Sequence, residues 1–320
     1  MTDKVLRCGV DIGSTTVKLA ILDTDGTILF GEYLRHRAQT RETLKQLIEQ
    51  ANEQLGDATL AVSVTGSGAL GIARSLGLPF VQEVVSVATA ISTYHPETDV
   101  AVELGGEDAK IIYFRGGLDE RMNGVCAGGT GSFIDQMAAL LQTDAAGLNE
   151  AAKDAKTDVQ PLINDGAARS DIAASIFQAV VTQTVSGLAC GKPIRGKVAF
   201  LGGPLHFLPE LKKAFVKTLK LTPEDTVDPE NSHLFAALGA AMNRDGGAKV
   251  SFTELLSRLA QQTGCDFESK RLDPLFSGKM TTGRFSTATR APGCAAATFR
   301  PIRVAAISAS TPGRPRPNWS

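Results

Sequence analysis

The chain has 320 residues, of which 43% are hydrophobic and 21% are charged, and its formal net charge at pH 7 is −1. This length predicts about two domains, and the near-neutral charge gives no support for electrostatic binding to nucleic acid or to an anionic membrane. No apolar run approaches the ~18 residues of a membrane helix, and charged residues interrupt the apolar stretch near residue 1, which argues against a secretory signal. Five cysteines in a chain of this length favour a reducing cytoplasm over a disulfide scaffold.

Residues 1–95 predict a first lobe that begins with three strands in a meander. An Asp-Gly turn at Asp25-Gly26 joins the second strand to the third, and a helix, a strand and another helix follow. The predicted strands are Leu6–Val10, Val17–Leu22, Thr27–Leu34 and Leu60–Val64.

The same pattern recurs in residues 96–262, which predict the second lobe. Its expected strands are Asp99–Leu104, Ala109–Phe114, Leu118–Asn123 and Lys197–Leu201. Helices are expected at Thr130–Leu141, Ser170–Leu188, Leu208–Leu219, Ser232–Met242 and Phe252–Gln261. A duplicated meander followed each time by helices predicts an α/β fold of two related lobes that face each other across a cleft.

Residues 263–320 break with this organisation and predict an irregular basic tail. From Pro274 onwards the chain has seven Lys or Arg residues and no Asp or Glu, which is typical of a disordered segment. Permitted codons for Ile307–Trp319 also encode LGIDAGSTTTKL when read two bases later, nearly repeating Gly9–Leu19. We therefore interpret the tail as a frame-shifted remnant of a longer tandem protein, which sequencing of the downstream DNA would test.

The first glycine loop, Asp11–Lys18, joins two predicted strands. A turn of this kind directs backbone N–H groups and hydroxyl groups into a concavity that suits phosphate oxygens. Asp11 is the candidate ligand for Mg²⁺, directly or through water. The residues expected to bind phosphate are Gly13, Ser14, Thr15, Thr16 and Lys18. For this loop alone, an ordinary hairpin turn remains the alternative.

The second glycine loop, Glu103–Lys110, repeats this chemistry about ninety residues later. Two such loops can enclose a polyphosphate from two sides, so finding both strengthens the prediction. Gly105, Gly106, Asp108 and Lys110 are expected to bind phosphate, and either Glu103 or Glu107 to polarise the attacking water. A third strand ends at Gly202-Gly203, whose bare backbone is expected to face the nucleoside.

This combination resembles the actin–hexokinase superfamily of ATP-binding proteins, with ribonuclease H-like lobes; the chain contains neither a P-loop nor a strand–GxGxxG–helix unit. Within it, the segment Met122–Phe133 (MNGVCAGGTGSF), with LGGEDAK, DIAASIFQAV and VAFLGGP, is similar to the signature of the activator ATPases of 2-hydroxyacyl-CoA dehydratases and the related ATPase subunits of benzoyl-CoA reductases (BadF/BadG/BcrA/BcrD type). The resemblance covers about residues 5–262 and is greatest to the N-terminal copy of the long tandem activases.

The resemblance implies a homodimeric, cytoplasmic ATPase with one [4Fe-4S] cluster at the subunit interface, held by two cysteines from each subunit. ATP hydrolysis would drive a low-potential electron from a ferredoxin or flavodoxin to a dehydratase or a benzoyl-CoA reductase-like partner. Cys126 matches the first cluster ligand, and Gly129 and Thr130 follow it into a helix N-terminus.

The chain departs from the family at two positions. No cysteine lies just before Thr157-Asp158, where the resemblance places the second ligand, and Cys190 lies elsewhere. A cluster would then be absent, labile or of another type, such as a two-iron form. The family also usually has Asp where Glu103 stands, so the longer side chain puts the geometry of that role in question.

Two other functions remain open. A small-molecule kinase acting on a sugar or a carboxylate would keep the fold but would not need Cys126 and its loop. An inactive nucleotide-binding fragment would explain the missing cysteine and the unusual tail. Of the remaining polar residues, Asp135 is expected to cap or pair locally, and the role of Glu83 is left open.

Overall fold

A computed structural model describes residues 5–123, 127–155, 168–243 and 246–261. In these ranges the strands are β1 (Val5–Ile12), β2 (Thr16–Leu22), β3 (Ile28–Arg35), β4 (Thr59–Thr65), β5 (Val100–Leu104), β6 (Ala109–Tyr113), β7 (Asp119–Met122), β8 (Val198–Leu201), β9 (Thr226–Val227) and β10 (Ala248–Ser251). The helices are α1 (Thr40–Leu55), α2 (Ala69–Leu76), α3 (Glu83–Tyr94), α4 (Gly131–Leu140), α5 (Ala145–Lys153), α6 (Arg169–Ala189), α7 (Gly203–Phe207), α8 (Pro209–Leu219), α9 (Phe235–Ala241) and α10 (Phe252–Gln261). Cys126, Thr157-Asp158 and the predicted tail lie outside the described residues.

Two five-stranded sheets share one plan. Their strand orders are β10-β4-β1-β2-β3 and β7-β6-β5-β8-β9. In each sheet an antiparallel hairpin, β1–β2 or β5–β6, has a parallel strand, β4 or β8, beside its first strand. The strands of both hairpins are almost wholly buried, which is typical of sheets covered on both faces. The predicted duplication is therefore present in the strand topology.

A middle layer of two helices, α3 and α9, lies between the sheets. Apolar residues of these helices form one buried cluster with Ala20 and Leu22 of the first sheet and Ala101 and Ile112 of the second. The backbones approach closely, since a Cβ added to Gly239 of α9 would collide with the carbonyl of Ser86 in α3. The two lobes therefore share one core behind the hairpins.

The end of the described chain returns to the first lobe. Strand β10 pairs antiparallel with β4, and Leu255 and Leu259 of α10 are buried in the core of the first sheet. These residues pack on the first sheet, whereas the sequence predicts 96–262 as the second lobe. The reason is physical: the apolar face of α10 covers α1 and α2, which would otherwise expose their own apolar residues.

Helix α6 is long and apolar enough to cross a membrane by length and composition, and it alone passes this test among the described helices. The expectation that no apolar run reaches this length is thus wrong for α6. One face of the helix, including Phe177, Val180 and Val181, is buried in the core of the second sheet. Such a face is typical of a core helix, which explains the apolar composition.

We predict that Leu255→Ala lowers the free energy of unfolding by about 2–5 kcal/mol, because it leaves a cavity in a core where Leu255 is 1% exposed. Chemical denaturation monitored by circular dichroism measures this change. The control is Ser257→Ala on the exposed face of the same helix, which we expect to change stability by less than about 0.5 kcal/mol. Equal effects of the two substitutions would contradict the placement of α10.

Candidate functional site

Each hairpin carries a carboxylate opposite a lysine near its tip. Asp11 of β1 pairs in register with Lys18 of β2, and Glu103 of β5 pairs in register with Lys110 of β6. The two pairs occupy equivalent positions in the duplicated sheets, and all four residues are largely shielded from solvent. The glycine loops predicted from the sequence are the tips of these hairpins.

In the first hairpin the carboxylate and the lysine form a direct ion pair. Lys18 Nζ lies 2.6 Å from Asp11 Oδ2. Burial alone would lower the pKa of Lys18, but the Asp11 carboxylate outweighs it and raises this pKa above its usual range. Burial raises the pKa of Asp11, and the Lys18 ammonium opposes that rise. Asp11 Oδ1 is also buried, and no hydrogen bond reaches it from the described residues.

The second hairpin differs, because a third carboxylate competes for its lysine. Lys110 Nζ lies 2.6 Å from Glu83 Oε1 at the start of α3, but 3.9 Å from Glu103 Oε2. Glu103 Oε2 is buried and, within the described residues, has no hydrogen-bond partner. Burial raises the pKa of Glu103 to about 7, against the opposing effect of the Lys110 ammonium. Glu103 is therefore able to exchange a proton near neutral pH.

Hydrogen bonds from outside the hairpins hold both tips. In the first tip, the Gly68 N–H donates to the carbonyl of Ile12 and the His36 N–H donates to that of Thr15. In the second, the Gly131 and Ser132 N–H groups at the start of α4 donate to the carbonyls of Gly105 and Gly106. The second tip is thus tied to the helix that follows the Cys126 segment.

The two tips touch each other. A Cβ added to Gly106 would collide with the side chain of Thr15, so only a glycine permits this approach. A cavity of about 330 Å³ opens beside this contact. Its lining comes from both lobes: Thr15, Tyr33, Arg35, Gly106, Gly131, Ile134, Asp135, Ala145, Ala146, Gly203, Pro204, Phe207 and Leu208. A mainly apolar pocket beside polar backbone suits a ligand with a flat ring and a charged tail.

An ion pair between the lobes borders this cavity. Arg35 of β3 donates two hydrogen bonds to Asp135 of α4, at 2.5 and 3.2 Å, across 100 residues of sequence. Asp135 was expected to cap or pair locally, and that expectation is wrong, because the β3 end of the first lobe lies over the start of α4. Both side chains are partly exposed, which limits the contribution of the pair to stability.

Residues 8–199, more than half of the chain, match the model of the BadF/BadG/BcrA/BcrD ATPase family. The chain belongs to this family. It is 26% identical to the 2-hydroxyisocaproyl-CoA dehydratase activator of Clostridioides difficile, over 77% of this chain and 97% of the relative. It is 28% identical to the (R)-2-hydroxyglutaryl-CoA dehydratase activating ATPase of Acidaminococcus fermentans, over 62% of this chain and 83% of the relative.

A solved structure of the 2-hydroxyisocaproyl-CoA dehydratase activator from Clostridium difficile with bound ADPNP has the same fold. The TM-score is 0.62 at 23% identity, and the match covers 84% of this chain and 100% of that structure. The predicted α/β fold of two actin/hexokinase-like lobes is thereby confirmed, as are the predicted family and its ATPase class.

This ATPase brings most of the predicted phosphate-binding residues to the two facing tips. Asp11, Gly13, Ser14, Thr15, Thr16 and Lys18 lie on the first hairpin, and Glu103, Gly105, Gly106, Glu107, Asp108 and Lys110 on the second. Glu107 is exposed, in contrast to buried Glu103. Gly203 lines the cavity, whereas Gly202, with φ +89°, packs against the end of β5. Gly129 and Thr130 are buried, with Gly129 packed against Thr184 of α6, and it is Gly131 that reaches the cavity.

Sequence reasoning missed the apolar wall of the cavity. Phe207 stacks at a tilt on Tyr33, with ring centroids 5.4 Å apart, and Tyr33 also meets the ring of His233 at 5.8 Å. Burial has the largest effect on the pKa of His233 and the nearby His206 the next largest, and together they lower this pKa to about 4. The imidazole is therefore neutral at pH 7. The available signal was the position of Phe207 shortly after Gly202-Gly203; nothing in the local sequence indicated Tyr33.

The described thiols do not fit a [4Fe-4S] cluster. Cys8 is 1% exposed in β1, and burial raises the pKa of its thiol to about 12. Cys190 is exposed directly after α6, and the carbonyl of the preceding Ala189 accepts a hydrogen bond from Arg121 of β7. Cys126 itself lies outside the described residues, so the predicted ligand has no second cysteine among those described.

We predict that Gly106→Ala weakens ATP binding by about 10-fold or more, because overpacking against Thr15 costs about 1–3 kcal/mol and parts the two tips. Isothermal titration calorimetry with ATP and magnesium measures the affinity. Gly187→Ala on the exposed side of α6 is the matched control, since only the end of Gln183 lies nearby. Unchanged affinity in Gly106→Ala would contradict the role of the tip contact.

Proposed function

We propose that this ATPase hydrolyses ATP between its two lobes and uses the resulting movement to activate an enzyme of the 2-hydroxyacyl-CoA dehydratase or benzoyl-CoA reductase type. The main support for this proposal is the pair of facing hairpin tips, each with a carboxylate and a lysine, beside a cavity that both lobes line. The activity named for the curated relatives supports the choice of partner.

In this proposal the tips bind the phosphates. The Thr15 side chain, including its hydroxyl group, contacts Gly106, so the phosphates would lie along this contact, with the base against Phe207 and Pro204. Lys18 and Lys110 supply positive charge next to the phosphate chain. Glu103 accepts the proton of the attacking water. Burial raises the pKa of its carboxyl group to about 7, which supports this role.

Asp11 fits the expected magnesium ion. Its Oδ2 is engaged by Lys18, while its buried Oδ1 has no hydrogen bond from the described residues and is a hard oxygen ligand of the type magnesium prefers. When bound, magnesium would neutralise the charge of the phosphate oxygens. Lys18 meanwhile fixes the direction of the Asp11 carboxylate.

The second tip can transmit a structural change from the phosphate site to the surface that meets the partner enzyme. Its carbonyls accept the first N–H groups of α4, so a change at Gly105 and Gly106 on phosphate release moves the start of this helix. The Arg35–Asp135 ion pair joins the same helix to the first lobe. A shift between the lobes would therefore reach the start of α4, and Cys126 lies shortly before this helix in the sequence.

The finer expectation, electron transfer from a [4Fe-4S] cluster shared by a homodimer and reduced by a ferredoxin or flavodoxin, depends on Cys126. Because the described cysteines do not fit such a cluster, we derive no step through it. The proposal for this chain is the ATP-driven activator role, with Cys126 as the candidate iron ligand.

We predict that Glu103→Gln lowers ATP turnover by about 10²–10⁴-fold and leaves ATP binding intact, because the amide cannot accept the proton of water. Phosphate release and calorimetry measure the two quantities on the same samples. In the wild-type chain kcat should rise with pH through about 7, since Glu103 is a base only above its raised pKa. Glu107→Gln, at the exposed tip, should cost less than about 10-fold; the reverse order would make Glu107 the base.

We predict that anaerobic reconstitution with iron and sulfide gives fewer than four irons per two chains. The reason is that the resemblance requires four thiolates and the position before Thr157 supplies none. Iron and acid-labile sulfide are measured per chain, with Cys126→Ser as the matched variant and Cys190→Ser as its control. A stable four-iron cluster that survives Cys126→Ser would contradict the assignment.

A further inference from the structure

Lys110 lies near two carboxylates, Glu83 and Glu103. It is closer to Glu83, which belongs to α3 and not to the duplicated hairpin. Its Nζ is 2.6 Å from Glu83 Oε1 and 3.9 Å from Glu103 Oε2, although Glu103 is its cross-strand partner. In the first hairpin the equivalent lysine, Lys18, contacts its own partner Asp11 at 2.6 Å. The difference between the two hairpins is therefore the presence of Glu83.

Glu83 is fixed by the middle layer of the fold. It is the first residue of α3, where a negative charge is favoured by the helix dipole. Helix α3 packs tightly against α9, so the carboxylate projects toward β6 from a rigid element. The Lys110 side chain is 6% exposed and that of Glu83 is 22% exposed, so solvent screens this ion pair only weakly.

Glu103 is left with a buried oxygen and no full counter-charge. The charged groups that face it are Lys110 from β6, Glu83 from α3, Lys18 from β2 and Asp11 from β1. Burial raises its pKa most, the lysines lower it, and the negative charges of Glu83 and Asp11 raise it further. Direct contact of the Lys110 ammonium with Glu103 would lower the pKa of this carboxyl group further and make it a weaker proton acceptor.

We propose that Glu83 is a positioning residue, which holds the Lys110 ammonium away from Glu103 and so keeps Glu103 able to take a proton from water. This inference rests on the proposed ATPase role of Glu103. In that step the water oxygen forms a bond to the γ-phosphorus, its proton passes to a Glu103 oxygen, and the bond from the γ-phosphorus to the bridging oxygen breaks. ADP leaves with that electron pair.

The direct test is the titration of the Glu103 carboxyl in the full chain, followed by carbon NMR of ¹³C-glutamate-labelled protein. The Glu103 signal is assigned by its loss in Glu103→Gln. In Glu83→Gln we expect the Glu103 pKa to fall by about one unit or more, because Lys110 is released toward it and a neighbouring negative charge is lost. Glu83→Asp keeps the charge and should retain most of the raised value.

Glu120→Gln is the matched control. Glu120 is an exposed carboxylate near Glu83 and Lys110 that is not among the groups facing Glu103, so its removal should leave the Glu103 titration in place. A Glu103 titration unchanged in Glu83→Gln, in protein with a native near-ultraviolet spectrum, would overturn the proposal. If Glu83→Gln does not fold, Lys110→Met serves instead: loss of the ammonium should raise the Glu103 pKa, and no change would refute the arrangement.

The ATPase assay separates this inference from the proposed function. The acidic limb of the pH–rate profile should move to lower pH in Glu83→Gln by the same amount as the NMR titration. A shifted titration in a chain that hydrolyses no ATP would uphold the positioning role of Glu83 and refute the proposed function. If Glu83→Gln hydrolyses ATP but neither the Glu103 titration nor the acidic limb moves, the proposed function is upheld and the positioning role of Glu83 is refuted.

Discussion

Two buried carboxylate–lysine pairs, one near the tip of each duplicated hairpin, are the constraint on which the site depends. Charged groups away from water are costly unless they face opposite charge. Asp11 and Lys18 meet that condition between themselves, whereas Lys110 is shared by Glu103 and Glu83. The duplication thus yields two hairpins of one design with different electrostatics: one closed pair and one carboxyl group with a pKa near neutrality.

The packing of the fold places these pairs against each other. Helices α3 and α9 fill the space between the sheets and fix the hairpins from behind, while the return of β10 and α10 completes the first sheet and its core. In front, Gly106 permits contact with Thr15, and Arg35 reaches Asp135 from the other lobe. A well-packed helix layer behind the hairpins and a small polar contact between their tips suit a cleft whose lobes move relative to each other when phosphate binds or leaves.

The parts of this arrangement that are local in sequence could be predicted. Apolar runs ending in Asp11-Ile12-Gly13 and Glu103-Leu104-Gly105 specify strands and tight tips, and the equal spacing from each carboxylate to its lysine reflects the hairpin register. The long-range features could not. Nothing near β10 indicates that it pairs with β4, and Arg35 and Asp135 are 100 residues apart. Glu83 could be noted as an acidic residue at a helix start, but its effect on Lys110 needs the packing of α3 in three dimensions.

In the proposed site both tips bind one nucleotide together, and calorimetry on the intact chain tests this binding most directly. With magnesium and a non-hydrolysable ATP analogue, we expect one molecule bound per chain. We also expect a loss of affinity when either tip is altered, by Thr15→Val in the first or by Asp108→Asn in the second. Absence of magnesium-dependent uptake by folded protein, or a loss of affinity from changes in one tip only, would contradict it.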